Sequence, residues 1–300
     1  MTPMRLSATS EARAAFYMTL ATFFWAGTAI AGKVGVRDFP PFTLSFLRFL
    51  LASAVMFAIS REAARTRLSL RDIFVVVSLG LTGMFANNAL FFVALQYTSV
   101  INVTTIAATS PLMTSLLAAA WAGERLTSGR VAAILLAFAG VVSLLFNGDI
   151  DRVMRLDMNI GDLYQIGAIL AFAVYNVVSK RFATNLTTPV IVTWGLVVAT
   201  VATIPFALFE HPVAPVLAAT AAGWGGVVYT ALFGSCAAYL LQQASIKIIG
   251  AARTAGFMNL IPVFTMAMAA VAFGERVTPV QIASAAVIIL GVSINSRLSR

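Results

Sequence analysis

The sequence predicts an all-α integral membrane protein of ten transmembrane helices, built as two inverted five-helix repeats with both termini cytoplasmic. Three observations carry that prediction. Of the 300 residues, 60 % are hydrophobic and 10 % charged, with a mean hydropathy of +0.92. Soluble domains run at roughly 45–50 % apolar and about 25 % charged. Polar and Pro/Gly breaks divide the chain into ten apolar stretches, each near the roughly 20 residues that a helix needs to cross the hydrocarbon. A shift of 151 positions lays Pro111 on Pro262, Gly123-Glu124-Arg125 on Gly274-Glu275-Arg276 and Gly140 on Gly291 without a gap. A soluble bundle would need charged helix faces, which are missing. A barrel would need apolar residues alternating with period two.

The first stretch, 13–32, follows a short N-terminus with no small-residue cleavage site and reads as a retained anchor; it carries Trp25 and Thr28. The second, 41–60, holds Arg48, about seven residues from its outer end and so roughly 10 Å deep. A charge at that depth needs a partner. It meets a substrate carboxylate, or else it bonds helix-end carbonyls or snorkels outward. The third, 73–95, sets Asn87 and Asn88 one turn from Phe91 and Phe92. The fourth, 100–122, contains Pro111, which leaves the Ala107 carbonyl without its helical donor. The fifth, 130–147, has a small-residue row, Ala133, Ala137 and Gly140, suited to close packing away from any cavity.

An acidic loop with Asp149, Asp151, Asp157 and Asp162 joins the halves. The sixth stretch, 162–179, brings Tyr164, Gln165, Phe172, Tyr175 and Asn176. The seventh, 189–209, has Leu196 where the second has Arg48. The eighth, 221–245, aligns Ser235, Tyr239, Gln242 and Gln243, with Tyr239 falling on Asn88 and Gln242 on Phe91. The ninth, 252–273, contains Pro262, four residues after Met258. The tenth, 279–296, repeats the small row as Ala283, Val287 and Gly291.

Apart from Arg48, the 20 Lys and Arg residues divide unevenly between the two sides. Lys33, Arg37, Arg152, Arg155 and Arg276 fall on one side and the other fourteen on the opposite, cytoplasmic side. Five crossings per unit is odd, so the copy (162–297) is inserted upside down relative to the first (13–147). "GERLT" then lies inside and "GERVT" outside, as helix-ending turns at the two interfaces.

Five-helix repeats with a mid-helix proline, a Gly-Glu-Arg turn and a last helix closing on Gly-Val resemble the EamA family of the drug/metabolite transporter superfamily. The pieces are Trp25-Ala-Gly, Lys33, Leu47-Arg48-Phe49, Ser110-Pro111, Gly123-Glu124-Arg125 and Gly140-Val141, then Lys180, Pro262, Gly274-Glu275-Arg276 and Gly291-Val292. The resemblance covers nearly the whole chain. It implies a secondary transporter in the inner (plasma) membrane. The aromatic, Asn/Gln-bearing interior is most similar to the YddG-like amino-acid exporters. That implies export of aromatic and other neutral amino acids by alternating access, without ATP. Drug or other metabolite export on the same fold is the nearest rival, and a membrane scaffold or membrane enzyme the more distant one.

Enzymatic and metal motifs are missing from the sequence. There is no phosphate-binding Gly-Lys-Ser/Thr loop, a single Cys236 and a single His211, so no cofactor or metal is expected. None of the 11 acidic residues lies in the middle third of a stretch, where proton relays and cation sites place theirs. That favours a neutral or zwitterionic substrate moving down its own gradient. The pI of about 10.4 follows from the inside charges and calls for no nucleic acid. The expected partners are a small-molecule substrate and the bilayer, with a monomer sufficient because both copies share one chain.

Amides facing lipid would cost several kcal/mol, so the polar faces point inward. The candidate substrate-binding residues are Trp25, Asn87, Asn88, Phe91, Tyr175, Asn176, Tyr239, Gln242 and Gln243, with Arg48 as a possible carboxylate partner and Pro111 and Pro262 as helix breaks. Any one of the amides has a second reading as interhelical glue.

Overall fold

The computed structural model describes residues 8–107, 109–122, 127–146, 148–149, 151, 159–183, 185–273 and 277–298. Every regular element among them is helical. The long elements are α1 (Ala8–Asp38), α2 (Pro41–Ile59), α3 (Leu70–Tyr97), α4 (Val100–Ala107 and Ser110–Ala122) and α5 (Ser128–Leu145). After the acidic loop come α6 (Ile160–Phe182), α7 (Thr188–Phe209), α8 (Ala221–Ile249), α9 (Ala251–Gly256, Phe257–Leu260 and Ile261–Phe273) and α10 (Pro279–Leu298). Each of the ten apolar stretches thus contains helix among its described residues. By length and composition seven of them, α1–α3 and α6–α9, suffice to cross a membrane. In α5 and α10 the continuous apolar parts are the shorter Val131–Gly140 and Pro279–Gly291, and α4 is interrupted. The Gly-Glu-Arg triplets lie outside the described residues.

The halves are interleaved. α1 packs on α8 and α9, while α6 packs on α3 and α4; α2 pairs with α7, and α5 with α10. Each first helix therefore rests against the other five-helix set. Helix association in lipid gains little from burying apolar surface, so close approach and polar ties decide it. In α5 and α10 the small rows do this: a Cβ at Gly291 would fall 2.7 Å from the Ala137 nitrogen and 2.8 Å from the Ala133 oxygen. Beside them the Ser284 and Ser143 hydroxyls meet at 2.9 Å.

Helix starts are held by polar caps, some from far along the chain. Ser69 and Asp72 form a capping box on α3. At the matching position of α8, Thr220 accepts from Gly223 N–H, and the carboxylate comes instead from Asp38 at the end of α1, accepting from Thr220 N–H at 2.9 Å. Glu210 does the same for α2, accepting from the N–H groups of Phe42 and Thr43 at 3.0 and 2.7 Å. A carboxylate at a helix N-terminus satisfies orphan donors and meets the positive end of the dipole.

α3 and α8 share a second peculiarity. Gly80–Ala86 and Thr230–Ala237 are π-helical, at matching places in the two halves. Such segments free carbonyls from the ladder and recur at functional sites. Here the glycines inside them admit a neighbour. A Cβ at Gly83 would lie 2.1 Å from the Tyr175 ring, and one at Gly234 would lie 2.3 Å from the Thr28 hydroxyl.

Candidate functional site

A cavity opens between helices of the two halves. It encloses about 600 Å³ of space between atoms, part of it open to solvent. Trp25 and Thr28 come from α1, Asn87, Asn88 and Phe91 from α3, and Thr104, Ala107 and Ser110 from α4. The other half supplies Gln165, Ile169 and Phe172 from α6, Tyr239 from α8, and Met258 and Ile261 from α9. The first, third and fourth helices of each half build it; α2, α5, α7 and α10 stand behind as scaffold. No lining side chain is charged.

Aromatic rings form one wall. Trp25 meets Tyr239 edge-on at 5.8 Å between centroids and Phe172 at 6.1 Å. Both polar rings are anchored on π-segment carbonyls. The Trp25 indole N–H donates to the Gly234 oxygen at 3.1 Å, and the Tyr239 hydroxyl donates to the Gly83 oxygen at 2.6 Å. The Asn88 amide donates to the Met84 oxygen at 2.8 Å and to the Tyr239 oxygen at 3.0 Å. Two lining atoms have no such anchor. Ser110 Oγ and Gln165 Oε1 are buried and lack a hydrogen-bond partner among the described residues.

Of the residues singled out from the sequence, Trp25, Asn87, Asn88, Phe91 and Tyr239 line this cavity. Tyr175, Asn176, Gln242 and Gln243 do not; they are buried one layer behind and tied to one another. Gln243 Nε2 donates to the Tyr175 oxygen, and Ser179 donates to Gln243 Oε1 at 2.9 Å. Gln242 Nε2 donates to Asn176 Oδ1 at 3.1 Å, and the Asn176 amide reaches Thr114 Oγ1 at 3.4 Å. These bonds bind α8 to α6 and α6 to α4.

Arg48 also lies off the cavity, fully buried. Its Nε and Nη2 donate to Ser235 Oγ at 3.0 and 2.7 Å. The guanidinium carbon sits 5.0 Å from the Phe49 ring centroid and 5.1 Å from that of Phe92, within cation–π range. Ser235 in turn donates to the Thr230 oxygen at 3.1 Å, so the arginine braces the π segment of α8.

Pro111 stands second in Ser110–Ala122 and Pro262 second in Ile261–Phe273, and the α-helix is interrupted just before each. The Met258 carbonyl, expected to be orphaned by Pro262, accepts instead from Ile261 N–H in the 3₁₀ turn.

Thr104, Ile169 and Ile261 line the cavity without having been singled out, and Ser110 and Met258, named only beside their prolines, line it as well. The signal for Ile169 was helical spacing, since Gln165, Ile169 and Phe172 share one face at i, i+4 and i+7. Past one end of the cavity, Lys33, Arg37, Gln96 and Asn102 border a second, open and polar recess. It lies further along α1, α3 and α4. Among the described residues no three His, Cys, Asp or Glu side chains group as metal ligands.

Comparison with known proteins places this geometry in company. The model of the EamA-like transporter family matches residues 12–146 and again 159–297. The chain is 33 % identical over 274 residues to the uncharacterized transporter YyaM of Bacillus subtilis, covering 90 % of this chain and 89 % of that protein. It is 26 % identical to a probable amino-acid metabolite efflux pump of Escherichia coli, covering 92 % of each chain. To the aromatic amino acid exporter YddG of Ancylobacter novellus it is 30 % identical, over 69 % of this chain and 73 % of that one. A solved crystal structure at 24 % identity superposes with a TM-score of 0.73, over 96 % of this chain and 97 % of its own, and shares the fold.

Proposed function

The chain belongs to the EamA-like transporter family, a multi-pass membrane protein, and on that premise we propose that it exports small amino-acid-like metabolites, aromatic ones included. The solute would pass through the cavity by alternating access, down its own gradient and without ATP. The observation that carries this reading is the cavity itself. Equivalent helices of both halves line it, its walls are aromatic and uncharged, and two buried polar atoms in it are unfilled. Such a site suits a small amphipathic ligand. The relatives named for amino-acid export support the solute class.

In this reading all ten helices span the inner membrane as two inverted repeats, with the recess at Lys33 and Arg37 on the outer side. Reporter tags at Met1 and Arg300 should both read cytoplasmic; an external C-terminal tag would remove the inversion. The functional test is uptake of labelled amino acids and of cationic dyes into proteoliposomes. Saturable uptake of L-phenylalanine or another neutral amino acid is expected. Flux of dyes alone would replace this reading with drug export.

A further inference from the structure

The two unfilled polar atoms of the cavity differ in kind and in setting. Gln165 Oε1 is a pure acceptor, and the residue is 2 % exposed. The Ser110 hydroxyl can donate, and the residue is 1 % exposed. Ser110 also opens the 13-residue segment Ser110–Ala122, whose N-terminal end carries the positive pole of the helix dipole. Its hydroxyl is not spent on capping that helix, because Leu112 and Met113 both donate their N–H groups to the Thr109 carbonyl. α4 and α6, which carry the two atoms, pack against each other.

A buried polar atom left unpaired costs free energy and calls for an explanation. Three neighbouring donors are already engaged: the Tyr239 hydroxyl and the Asn88 amide N–H bond π-segment carbonyls and, through the phenol oxygen, each other, and the Trp25 indole N–H bonds Gly234. Among the buried side-chain atoms of the lining residues, the two left without a partner among the described residues are thus an acceptor on α6 and a hydroxyl beside a positive helix end on α4. We propose that these two atoms read the two ends of a zwitterion, Gln165 Oε1 accepting from the ligand ammonium and Ser110 Oγ donating to its carboxylate. The uncharged wall then needs no ion pair, since the ligand brings both charges. This inference rests on the transport reading for its ligand class, but it is a claim about binding.

The test uses four probes of one skeleton: L-phenylalanine, its methyl ester, 2-phenylethylamine and 3-phenylpropanoate. Thermal stabilisation of the purified full-length protein reports their binding, and L-phenylalanine should bind most tightly. Gln165→Leu should weaken L-phenylalanine, the ester and the amine by about tenfold or more, the scale of one lost charge-assisted bond, and leave 3-phenylpropanoate unchanged. Ser110→Ala should weaken L-phenylalanine and 3-phenylpropanoate and leave the amine unchanged. A variant that misfolds loses all four probes alike. In that case the wild-type order decides, with the amine and the propanoate each well below L-phenylalanine. Equal binding of L-phenylalanine and 3-phenylpropanoate to the wild type, the reverse crossing of the variants, or no stabilisation by any probe overturns the proposal. Flux in proteoliposomes separates the two claims. The crossed binding pattern without flux would fail the transport reading alone, and flux without the pattern would fail this one alone.

Discussion

Asn88 and Tyr239, 151 positions apart and equivalent under the internal repeat, touch each other, the amide donating to the phenol oxygen at 3.0 Å. The contact ties α3 of the first half directly to α8 of the second. The phenol passes the bond on to the Gly83 carbonyl at 2.6 Å, inside the π segment of α3. The cavity wall and the irregular backbone are thus one hydrogen-bonded unit.

Tyr239→Phe keeps the ring and removes both bonds of the hydroxyl. The Gly83 carbonyl then loses a donor. The expected cost is about 1 kcal/mol of stability, at the upper side of what interhelical bonds contribute in membranes. A thermal melt in detergent should show the loss, and transport should slow further than the melt alone explains. Unchanged stability and flux would mean that the π segment needs no such anchor.

Cysteine labelling separates the cavity from the layer behind it. In a Cys236→Ala background, Asn88→Cys should react with a water-soluble thiol reagent and be protected by L-phenylalanine. Gln242→Cys should stay inert, since Gln242 is fully buried against Asn176. Equal reactivity at both positions would put the water path through the wrong layer.

Gly291→Leu should prevent close packing of α5 on α10. Its Cβ would meet backbone atoms of Ala133 and Ala137, which cannot swing away as a side chain does. Overpacking of this kind costs about 1–3 kcal/mol, enough to reduce the yield of monodisperse protein on gel filtration. Gly225→Ala is the control, because a Cβ there meets nothing within 4 Å. Comparable yields from the two variants would refute the scaffold role.

Transport should proceed without a pH gradient, because no carboxylate lines the cavity to exchange a proton for solute. Substrate-driven flux in sealed liposomes carrying an internal pH dye should leave the dye signal flat. Stoichiometric pH change coupled to flux would overturn this.

The sequence made the helical stretches, the small-residue rows and the inward polar faces legible, because each is a statement about spacing on one helix. It did not separate cavity from glue. Asn88 and Gln242 both must face inward to avoid lipid, and nothing local says whether a ligand or Asn176 awaits them. The π segments add a second difficulty. One extra residue in a turn rotates everything after it by about 100°. A period of 3.6 counted through Gly80–Ala86 or Thr230–Ala237 therefore assigns the following residues to the wrong face. The braces at Arg48–Ser235, Asp38–Thr220 and Glu210–Thr43 join residues too far apart in sequence for any spacing rule to pair.

The interleaving of the halves has a consequence for how the protein is made. Trp25 bonds Gly234, 209 residues later, and α1 rests on α8 and α9. At about 5–20 residues per second, synthesis leaves the first helix without its partners for on the order of 10–40 s. Through that interval its indole N–H needs a temporary host at the insertion machinery or the lipid interface, whereas the Thr28 hydroxyl is already held by the Phe24 carbonyl of the same helix. The same interval makes α1 the helix most exposed to premature pairing. A ribosome stalled before Ala221 should leave α1 open to crosslinking from Trp25, and release past Ile249 should close it.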